Sequence, residues 1–385
     1  MRNKMRLGDI ATLITKGTTP TSVGYTFTDT GVNFVKIESI REDGTFIPDK
    51  FAHISDECNT KLKRSQLQEN DILFSIAGAI GRTAIVTKDC LPANTNQALA
   101  IIRIPQGVID YRFLLYALQS DAIIEQAEKQ KQGVAQLNLS LQNINDFEIP
   151  FFTEEEQLTV VEVLSSVDSL LSTRIAQLEQ LDELVKSRFI ELFGDSTHST
   201  NKVLLEDISA FVTVGIANSA THAYVDNGIV MLRNQNIKEN HLDENDLIYI
   251  TPDFAKKYGS KQLAENDILV IRTGYPGMAC LVPKKYEGCQ TFTTLIVRLK
   301  DSTSAHANYV CHYINSSFGK DYVEQSKVGV AQQNFGAKAL AKMPIVVPPM
   351  ELQEEFAAFV EQTDKSKLAV QQSIILARNS HTLSK

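Results

Sequence analysis

Two stretches of the chain repeat apolar residues at helical spacing and contain neither Gly nor Pro. The first stretch runs from Glu154 to Phe193; Thr153 with Glu156 predicts a capping box at its start, and Gly194 predicts its end. Apolar residues spaced by three and four positions are typical of a coiled-coil stripe. The residues that we expect to pair with another helix are Leu164, Val167, Leu171, Ile175, Leu178, Leu181, Val185 and Phe189.

The second stretch begins at Glu351, directly after Pro348 and Pro349. Its stripe is sparser, Lys367 interrupts it, and it stops at Lys385 without the V-K-S-R-F-I-E-L-F turns of the first stretch. We therefore expect a shorter and more polar helix. A lone amphipathic helix of this kind cannot bury its apolar stripe, so we predict that the two helices pair antiparallel. The pairing residues of the second stretch are Phe356, Phe359 (or Val360 in its place) and Ile374.

Outside these stretches, short runs rich in Ile, Val and Phe are separated by Gly, Pro, Asn and Asp, a pattern that predicts strands and turns. A helical stretch closes each half of the chain, at Tyr111–Lys131 and at Ala307–Gln325. This combination predicts an α+β fold with a sheet-rich core. The predicted strands are Gly31–Ile40, Asp71–Ile76, Thr83–Val86 and Leu99–Ile104, with counterparts at Gly228–Ile237, Asp267–Ile271, Ala279–Val282 and Leu295–Leu299.

The two halves repeat one another. Gln66–Leu73 reads Q-L-Q-E-N-D-I-L, and Gln262–Leu269, 196 residues later, reads Q-L-A-E-N-D-I-L. Gly133–Asn138 (G-V-A-Q-L-N) recurs in the same way as Gly329–Asn334 (G-V-A-Q-Q-N). A period this long indicates a duplicated domain and not a solenoid. We therefore predict two duplicated, sheet-rich lobes separated by two long antiparallel coiled-coil helices: a first lobe at 1–150, a central helical region at 151–198, a second lobe at 199–348 and a distal helical region at 349–385.

Charge is distributed unevenly along the chain, whose formal net charge is −8. Residues 1–150 carry 16 Lys and Arg against 17 Asp and Glu, whereas residues 151–200 carry 3 against 10. The acidity therefore belongs mainly to the first long helix, and the lobes are near neutral. A near-neutral lobe can hold a local basic patch, so the acidic total does not exclude a nucleic-acid partner.

The cysteine pattern and the hydropathy bear on the compartment. Five cysteines, an odd number without a C-x-x-C motif, are typical of a reducing cytoplasm and predict neither a disulfide framework nor a zinc site. No apolar run approaches the roughly 18 residues of a membrane span, and the first residues lack the apolar stretch of a signal peptide. We expect a cytoplasmic protein with no membrane partner.

Motifs that carry catalysis are missing from the sequence. It contains no G-x-x-x-x-G-K-[ST] loop, no G-x-G-x-x-G, no G-x-S-x-G and no H-E-x-x-H. Asp71 and Asp267 recur in E-N-D-I-L and could serve as acids, but a turn that enters a strand explains them more simply. We predict no catalytic residue and no metal ligand.

The order of these features resembles the specificity subunit of a type I DNA restriction-modification system, and the resemblance covers essentially the whole chain. That family combines two divergent α+β lobes, each followed by a long helix. The motifs that carry the resemblance are E-N-D-I-L…G-x-x-G (Glu69–Gly81 and Glu265–Gly277), G-V-A-Q-x-N in both lobes, the apolar-to-Glu-x-Gln junctions (Ile149–Gln157 and Ile345–Gln353) and S-R-F-I-E-L-F-G-D (Ser187–Asp195).

The resemblance implies a non-catalytic subunit of a larger complex. Each lobe would be a target recognition domain that reads one half of a split, asymmetric site in double-stranded DNA. The helices would set the spacer and dock two methylation subunits, and restriction subunits would join for cleavage. This chain would bind no cofactor of its own: S-adenosylmethionine would belong to the methylation subunit, which modifies adenine N6, and ATP and Mg to the restriction subunit.

Divergent polar positions beside loops are the candidates for reading bases, because Arg pairs with guanine and Asn or Gln with adenine in the major groove. The lobes diverge most between Lys16–Arg64 and Thr213–Ser260, which suggests one task performed on two targets. Drift in exposed loops is the alternative. The base-reading candidates are Lys36, Arg41, Arg82, Asn94, Asn96 and Gln97 in the first lobe and Arg233, Asn234, Gln235, Asn236, Arg272, Tyr275 and Gln290 in the second.

Basic residues cluster just before each E-N-D-I-L motif and suit phosphate contacts. Each of them could instead be an ordinary solvated surface residue. Gln136 and Gln332 of G-V-A-Q-x-N could donate to adenine, but they are identical in both lobes, which favours a structural or phosphate-positioning role. The phosphate candidates are Lys61, Lys63, Arg64, Lys256, Lys257 and Lys261.

Two other functions fit parts of the pattern. The first is a protein-interaction scaffold with two binding lobes on a coiled-coil strut, which predicts no DNA binding even with every partner present. The second is a duplicated enzyme, which predicts acid and base residues kept in both lobes. The shared set, Glu69, Asp71, Gln136 and Asn138, contains neither His nor Cys.

Overall fold

The computed structural model describes residues 4–130, 138–194, 202–217, 220–300, 305–327 and 334–384, with side chains as far as residue 378. Packing divides the chain into two compact units, Met1–Ile175 with Ser373–Lys385 and Ala176–Gln372. This division passes through both long helices and so differs from the four segments predicted from the sequence. Each unit combines helices with sheets, as the α+β prediction requires.

The first unit begins with the short strand β1, and its last element before the second unit is the long helix α6, which extends into that unit. Its strands are β1 (Lys4–Arg6), β2 (Leu13–Lys16), β3 (Val32–Val35), β4 (Ala52–Ile54), β5 (Ile72–Ser75), β6 (Thr83–Ile85), β7 (Ala93–Thr95), β8 (Leu99–Arg103) and β9 (Glu148–Pro150). Its helices are α1 (Leu7–Ile10), α2 (Asp56–Lys61), α3 (Tyr111–Gln119), α4 (Asp121–Gln130), α5 (Leu141–Asn145) and α6 (Glu154–Phe193).

The second unit repeats this order and adds short strands. Its strands are β10 (Lys202–Leu204), β11 (Ser209–Val214), β12 (Tyr224–Val225), β13 (Ile229–Leu232), β14 (Ile237–Lys238), β15 (His241–Leu242), β16 (Ile248–Ile250), β17 (Ile268–Val270), β18 (Ala279–Leu281), β19 (Gln290–Thr291), β20 (Leu295–Leu299) and β21 (Pro344–Val346). Its helices are α7 (Leu205–Ile208), α8 (Pro252–Lys257), α9 (Ala307–Asn315), α10 (Ser317–Ser326), α11 (Ala337–Ala341) and α12 (Met350–Ser384).

A four-stranded antiparallel sheet forms the centre of each unit, in the order β2-β8-β5-β6 and β11-β20-β17-β18. In β5, Ile72 and Phe74 face a core shared with α3, α4 and α5, and Leu73 faces the core on the opposite side. β17 is arranged in the same way, with Ile268 and Leu269 in different cores. Because both faces are covered, these strands are continuous apolar runs instead of alternating ones.

A second, smaller sheet carries the divergent part of each lobe. Its order is β4-β3-β7 in the first unit and β12-β16-β13-β19 in the second, with β3–β7 and β13–β19 parallel. The first strand of each lobe pairs with the last: Met5 lies opposite Ile149, and Val203 opposite Ile345. The duplication seen in the sequence is therefore a duplication of topology.

The long helix α6 begins and ends where the sequence predicts. The Glu156 backbone N–H donates to Thr153 Oγ1 at 3.3 Å, and Glu156 Oε2 accepts from the Thr153 N–H at 2.9 Å, which completes the capping box. Gly194 follows at φ +65°, and its N–H bonds to the Ile190 carbonyl. The second helix starts at Met350, one residue before the prediction.

Within the second unit the two long helices run antiparallel. Phe189 lies against Phe356 with ring centroids 5.3 Å apart, and Arg188 forms an ion pair with Glu355. Lys367, which interrupts the apolar stripe, forms an ion pair with Asp182 at 2.7 Å. Later residues of α6 therefore contact earlier residues of α12, as in an antiparallel helix pair.

Element boundaries of two kinds were predicted wrongly in both lobes. The predicted strands Gly31–Ile40 and Gly228–Ile237 end at Val35 and Leu232, and a 3₁₀ turn follows each, at Ile37–Ser39 and Asn234–Asn236. Each closing helix is two helices, broken at Ser120 and at Ser316, where the serine hydroxyl donates at 2.6 Å to the carbonyl three residues earlier. Serine competes in this way for backbone hydrogen bonds, and both residues adopt extended backbone angles.

Candidate nucleic-acid interface

A glycine-framed loop joins an inner strand of each central sheet to the edge strand beside it, β5 to β6 and β17 to β18. Gly78 and Gly81 have φ of +70° and +93°, and Gly274 and Gly277 have +89° and +95°, so the equivalent glycines of both loops have positive φ. A Cβ on Gly277 would lie 2.7 Å from Val323, which fixes glycine there. The tips differ: the first lobe places an alanine where the second places Tyr275, whose side chain is 79% exposed.

A 3₁₀ turn beside this loop follows the parallel strand of each small sheet. Its third residue, Ser39 or Asn236, is buried and accepts from the backbone N–H of Lys36 or Arg233. Asn236 also donates to the carbonyls of Asp243 and Asn245 at 3.0 and 2.9 Å. The side chain of Asn236 is therefore engaged in hydrogen bonds within the protein.

The repeated E-N-D-I-L motif is a strand-entering turn, as its sequence suggests. Asn70 and Asn266 have φ of +68° and +65°. Asp71 accepts from the Gln68 N–H and binds both arms of Arg103 at 2.6 and 2.7 Å. This hydrogen bond raises the pKa of Arg103.

The second lobe repeats the pair with Asp267 and Arg298, at 2.7 and 2.6 Å. Asp71 and Asp267 are each 1% exposed, so neither is available as a surface acid. Neither arginine stands out in the sequence, because the repeat shifts there by one residue. Their common position at the end of a central strand is the feature that could have revealed them.

The base-reading predictions for Asn94 and Gln290 are corrected by burial, since both residues are fully buried. Asn94 Nδ2 donates to the Leu62 carbonyl at 3.2 Å, and Gln290 Nε2 donates to the Ala255 and Tyr258 carbonyls at 3.1 Å. These equivalent residues satisfy the carbonyls at the end of the short helix α2 or α8. We remove them, and Asn236, from the base-reading set.

The remaining first-lobe candidates are partly engaged in local contacts. Lys36 Nζ lies 4.6 Å from the Phe27 ring centroid, Arg41 donates to the Phe46 carbonyl at 2.9 Å, and Arg82 donates to the Ile37 and Ile40 carbonyls at 3.3 and 3.0 Å. Two side-chain amide oxygens accept hydrogen bonds: Asn96 Oδ1 from the Ala98 N–H at 3.0 Å, and Gln97 Oε1 from the Thr19 hydroxyl. The structure therefore holds these side chains beside the loops without burying them.

Among the second-lobe candidates, Arg272 and Tyr275 lie in the glycine-framed loop, and Asn234 contacts it. Asn234 Nδ2 donates to Thr273 Oγ1 and to its carbonyl at 3.2 and 3.3 Å, and Arg233 donates to the Asp246 carbonyl. Arg272 Nε donates to Asn334 Oδ1 at 2.9 Å. Gln235 and Tyr275 are exposed.

Five of the six phosphate candidates are exposed. Lys61, Lys63 and Arg64 lie at and after the end of α2, and Lys256 and Lys257 end α8. None of the ion pairs found among the described residues includes any of these five. Lys261 differs, because its Nζ donates to Thr213 Oγ1 at 2.9 Å and to the Val214 carbonyl, so we remove it from the set.

Other predictions fall on or beside undescribed segments. Gly133, Gln136, Gly329 and Gln332 lie outside the described residues. Over the part of the chain that is described, no cluster of three or more His, Cys, Asp and Glu suits a metal ion, and no helix is both long and apolar enough to cross a bilayer. All five cysteines are unpaired thiols.

The profile of the type I restriction modification DNA specificity domain matches the chain twice, over residues 2–180 and 202–377. Both copies of the duplicated fold are therefore matched. The chain belongs to the type I restriction-modification DNA specificity family. This confirms the family suggested by the order of motifs in the sequence.

Individual members of the specificity family are more distant. The type I restriction enzyme EcoBI specificity subunit of Escherichia coli is 28% identical over 167 residues, which are 41% of this chain and 34% of that subunit. This chain thus aligns with about a third of the length of that relative.

Solved structures support the fold. A chain from a structure that describes complex assembly and conformational transition of the type I R-M system superposes with a TM-score of 0.61 at 17% identity, covering 99% of this chain and 96% of that one. The S subunit of the type I restriction-modification system from M. genitalium gives 0.51 at 13% identity, with coverages of 99% and 94%. At such identities the likeness shows the fold alone.

The helical stripe of this specificity-family chain is buried unevenly. Val185, Phe189 and Phe356 lie in one core with the second lobe, whereas Leu164 lies in the core of the first lobe. Ile374 is 8% exposed, but Ile175 is 44% exposed. The half-buried members are Val167, Leu171, Leu178, Leu181 and Phe359. Val360 and Val370 are buried on α12. Of the two pairing residues that the sequence allowed, Phe359 and Val360, the buried Val360 is therefore the better choice.

Proposed function

We propose that this chain is the DNA specificity subunit of a type I restriction-modification complex, and that each lobe reads one half of a bipartite, asymmetric site. The observation that carries the proposal is the contrast between framework and surface. The equivalent loop glycines have positive φ in both lobes and the 3₁₀ turns begin with nearly the same backbone angles, yet the side chains at the loop tips differ in chemistry. One framework with two surfaces suits two different half-sites.

The four-segment division belongs to the same proposal: target recognition domains at residues 1–150 and 199–348, and helical regions at 151–198 and 349–385. The helices would fix the spacer and dock two methylation subunits. Restriction subunits would join this assembly on double-stranded DNA. The five free thiols fit a complex that acts in the reducing cytoplasm.

Chemistry would reside in the partners. The methylation subunits would bring S-adenosylmethionine and flip an adenine out of the duplex, and the restriction subunits would bring ATP and Mg. This chain would contribute recognition and geometry. Its buried carboxylates, Asp71 and Asp267, are paired with arginines, which suits a structural role.

The base-reading set that the structure leaves accessible is the second part of the proposal. It consists of Lys36, Arg41, Arg82, Asn96 and Gln97 in the first lobe and Arg233, Asn234, Gln235, Arg272 and Tyr275 in the second. Lys61, Lys63, Arg64, Lys256 and Lys257 would contact phosphates, which position the lobes without reading sequence.

The test is co-expression with the methylation subunit in a host without DNA methylation, followed by mapping of modified adenines across the genome. We expect a split motif with a fixed spacer that disappears when this chain is omitted. A confirmed complex that modifies no adenine would contradict the proposal. Absence of both complex and DNA binding would favour the scaffold alternative.

A further inference from the structure

The glycine-framed loop has the same backbone anchor in both lobes. In the second lobe, the Phe335 N–H donates to the Arg272 carbonyl at 2.9 Å, and Thr273 is bridged to Asn334. In the first lobe, the Leu139 N–H donates to the Ile76 carbonyl at 2.9 Å, and Ala77 is bridged to Asn138. Arg272 and Ile76 therefore occupy equivalent positions, and the duplication supplies an internal comparison.

The side chains at this shared position differ in hydrogen-bonding capacity. Arg272 Nε donates to Asn334 Oδ1 at 2.9 Å, which fixes the plane of the guanidinium and leaves its two terminal nitrogens as a fork. No ion pair among the described residues includes Arg272, in contrast to Arg103 and Arg298, whose forks are closed by aspartates. Arg272 is half-buried and so remains within reach of a ligand.

The neighbours of Arg272 repeat this contrast between the lobes. Asn234 braces the loop through Thr273, and Tyr275 projects from its tip. The equivalent residues of the first lobe are Ile37 and Ala79, which offer no side-chain donor or acceptor. The second lobe thus carries polar side chains at three positions where the first carries apolar ones.

We propose that Arg272 reads a guanine in the half-site of the second lobe, and that Asn334 is its positioning residue. The proposal rests on the proposed function and specifies its chemistry. A two-nitrogen fork matches the O6 and N7 acceptors that guanine presents in the major groove. Ile76 is buried in the core of the first lobe and cannot make this contact, so any reading of the symmetry-related step there falls to a different side chain.

The experiment uses the complex of this chain with its methylation subunit and the motif mapped for the wild type. We expect an essential G·C pair in one half-site. Arg272→Gln relaxes the preference at that pair alone, on the order of ten- to a hundred-fold. The other half-site keeps its stringency.

Asn334 is tested by the same mapping. Asn334→Ala weakens the guanine preference on the order of ten-fold, because the guanidinium loses its fixed plane. Asn334→Asp restores the preference, because a carboxylate oxygen accepts from Nε. The matched control is Asn138→Ala, the equivalent position of the first lobe, which leaves the guanine preference unchanged. A merely structural role would lower methylation at all sites without changing base preference.

A second measurement does not depend on the folding of any variant. The wild-type complex is titrated with duplexes in which the essential guanine is replaced by 7-deazaguanine, which pairs normally but lacks the N7 acceptor. We expect weaker binding of the modified duplex by the wild type and equal binding of both duplexes by Arg272→Gln.

Three outcomes separate the proposals. A split motif without a required G·C pair in either half-site overturns this inference and leaves the proposed function intact. The same holds if wild-type binding is indifferent to 7-deazaguanine. A confirmed complex without any motif overturns the proposed function and this inference with it.

Discussion

The side-chain oxygen of Gln353 accepts a hydrogen bond from the backbone N–H of His306 at 2.8 Å. Gln353 Nε2 donates to the Pro348 carbonyl at 2.7 Å, and the glutamine is fully buried. His306 caps helix α9, so one side chain joins the start of the long helix α12 to the start of a lobe helix. Gln157 makes the equivalent bond to the Asp110 N–H, the cap of α3, at 2.9 Å.

Replacing Gln353, the clamp between the starts of α9 and α12, gives the first prediction. Gln353→Leu removes two hydrogen bonds and leaves two backbone groups without partners, so we expect the free energy of unfolding to fall by about 3 kcal/mol. Urea unfolding followed by circular dichroism measures it. Gln371→Leu, at an exposed position of the same helix, is the control. Equal effects of the two substitutions would show that the clamp contributes nothing.

The stripe of α6 gives a second prediction, because two of its members have opposite surroundings. The Phe189 ring is 6% exposed and stacks on Tyr309 at 5.7 Å, whereas Ile175 is 44% exposed. Phe189→Ala should lower the free energy of unfolding by about 3–5 kcal/mol, and Ile175→Ala by less than about 1 kcal/mol. Both are measured by urea unfolding. If Ile175→Ala were as costly, a partner within the chain would have to cover that residue.

His312 makes stability depend on pH. Its ring lies against Phe189 and Phe356 and is 9% exposed; burial, followed by the charge of Lys367, lowers the pKa of His312 from 6.5 to about 3. The unfolded chain therefore binds a proton that the folded chain excludes. This contribution is complete above about pH 6.5 and is lost progressively as the pH falls toward 3. Burial lowers the pKa of His306 too, which acts in the same direction.

Between pH 7 and pH 5 we expect His312 to account for a loss of about 2 kcal/mol in the free energy of unfolding. His312→Phe keeps the aromatic contacts and removes the titration, so it should flatten the profile in this window. Urea unfolding at pH 5, 6 and 7 measures the effect, with the exposed His222→Gln as control. A wild-type slope retained in His312→Phe would assign the pH dependence to other groups.

Local features of the fold were predictable from the sequence, and long-range ones were not. The helix from Glu154 to Phe193 was found because its cap, stripe and terminating glycine lie within one segment. The pairing of Asp71 with Arg103 joins residues far apart in sequence, which no local pattern reveals. The breaks at Ser120 and Ser316 were missed because serine is tolerated within helices and at their ends alike.

The burial of individual side chains determined which predicted residues remain candidates for reading bases. Asn94 and Gln290 differ between the lobes and border a loop, which is how a base-reading residue looks in sequence. Each of them instead donates hydrogen bonds to the carbonyls at the end of a short helix, Asn94 at α2 and Gln290 at α8. Arg272 and Asn334 were both visible in the sequence, but only their 2.9 Å hydrogen bond shows that one orients the other.

Salt dependence separates phosphate contacts from base contacts and gives the last prediction. Lys61, Lys63 and Arg64 are exposed at the end of α2. Their simultaneous replacement by Ala should weaken binding of the assembled complex to specific and nonspecific duplexes alike. The slope of log affinity against log salt should fall by about 0.9 for each phosphate that the triple variant no longer neutralises.

Fluorescence anisotropy of labelled duplexes across a salt series measures this slope. Lys365→Ala is the control, because Lys365 is paired with Glu361 at 2.7 Å on the distal helix. An unchanged slope in the triple variant would mean that the cluster does not contact phosphates. Loss confined to the specific duplex would instead place these residues at base edges, because only base contacts distinguish one sequence from another.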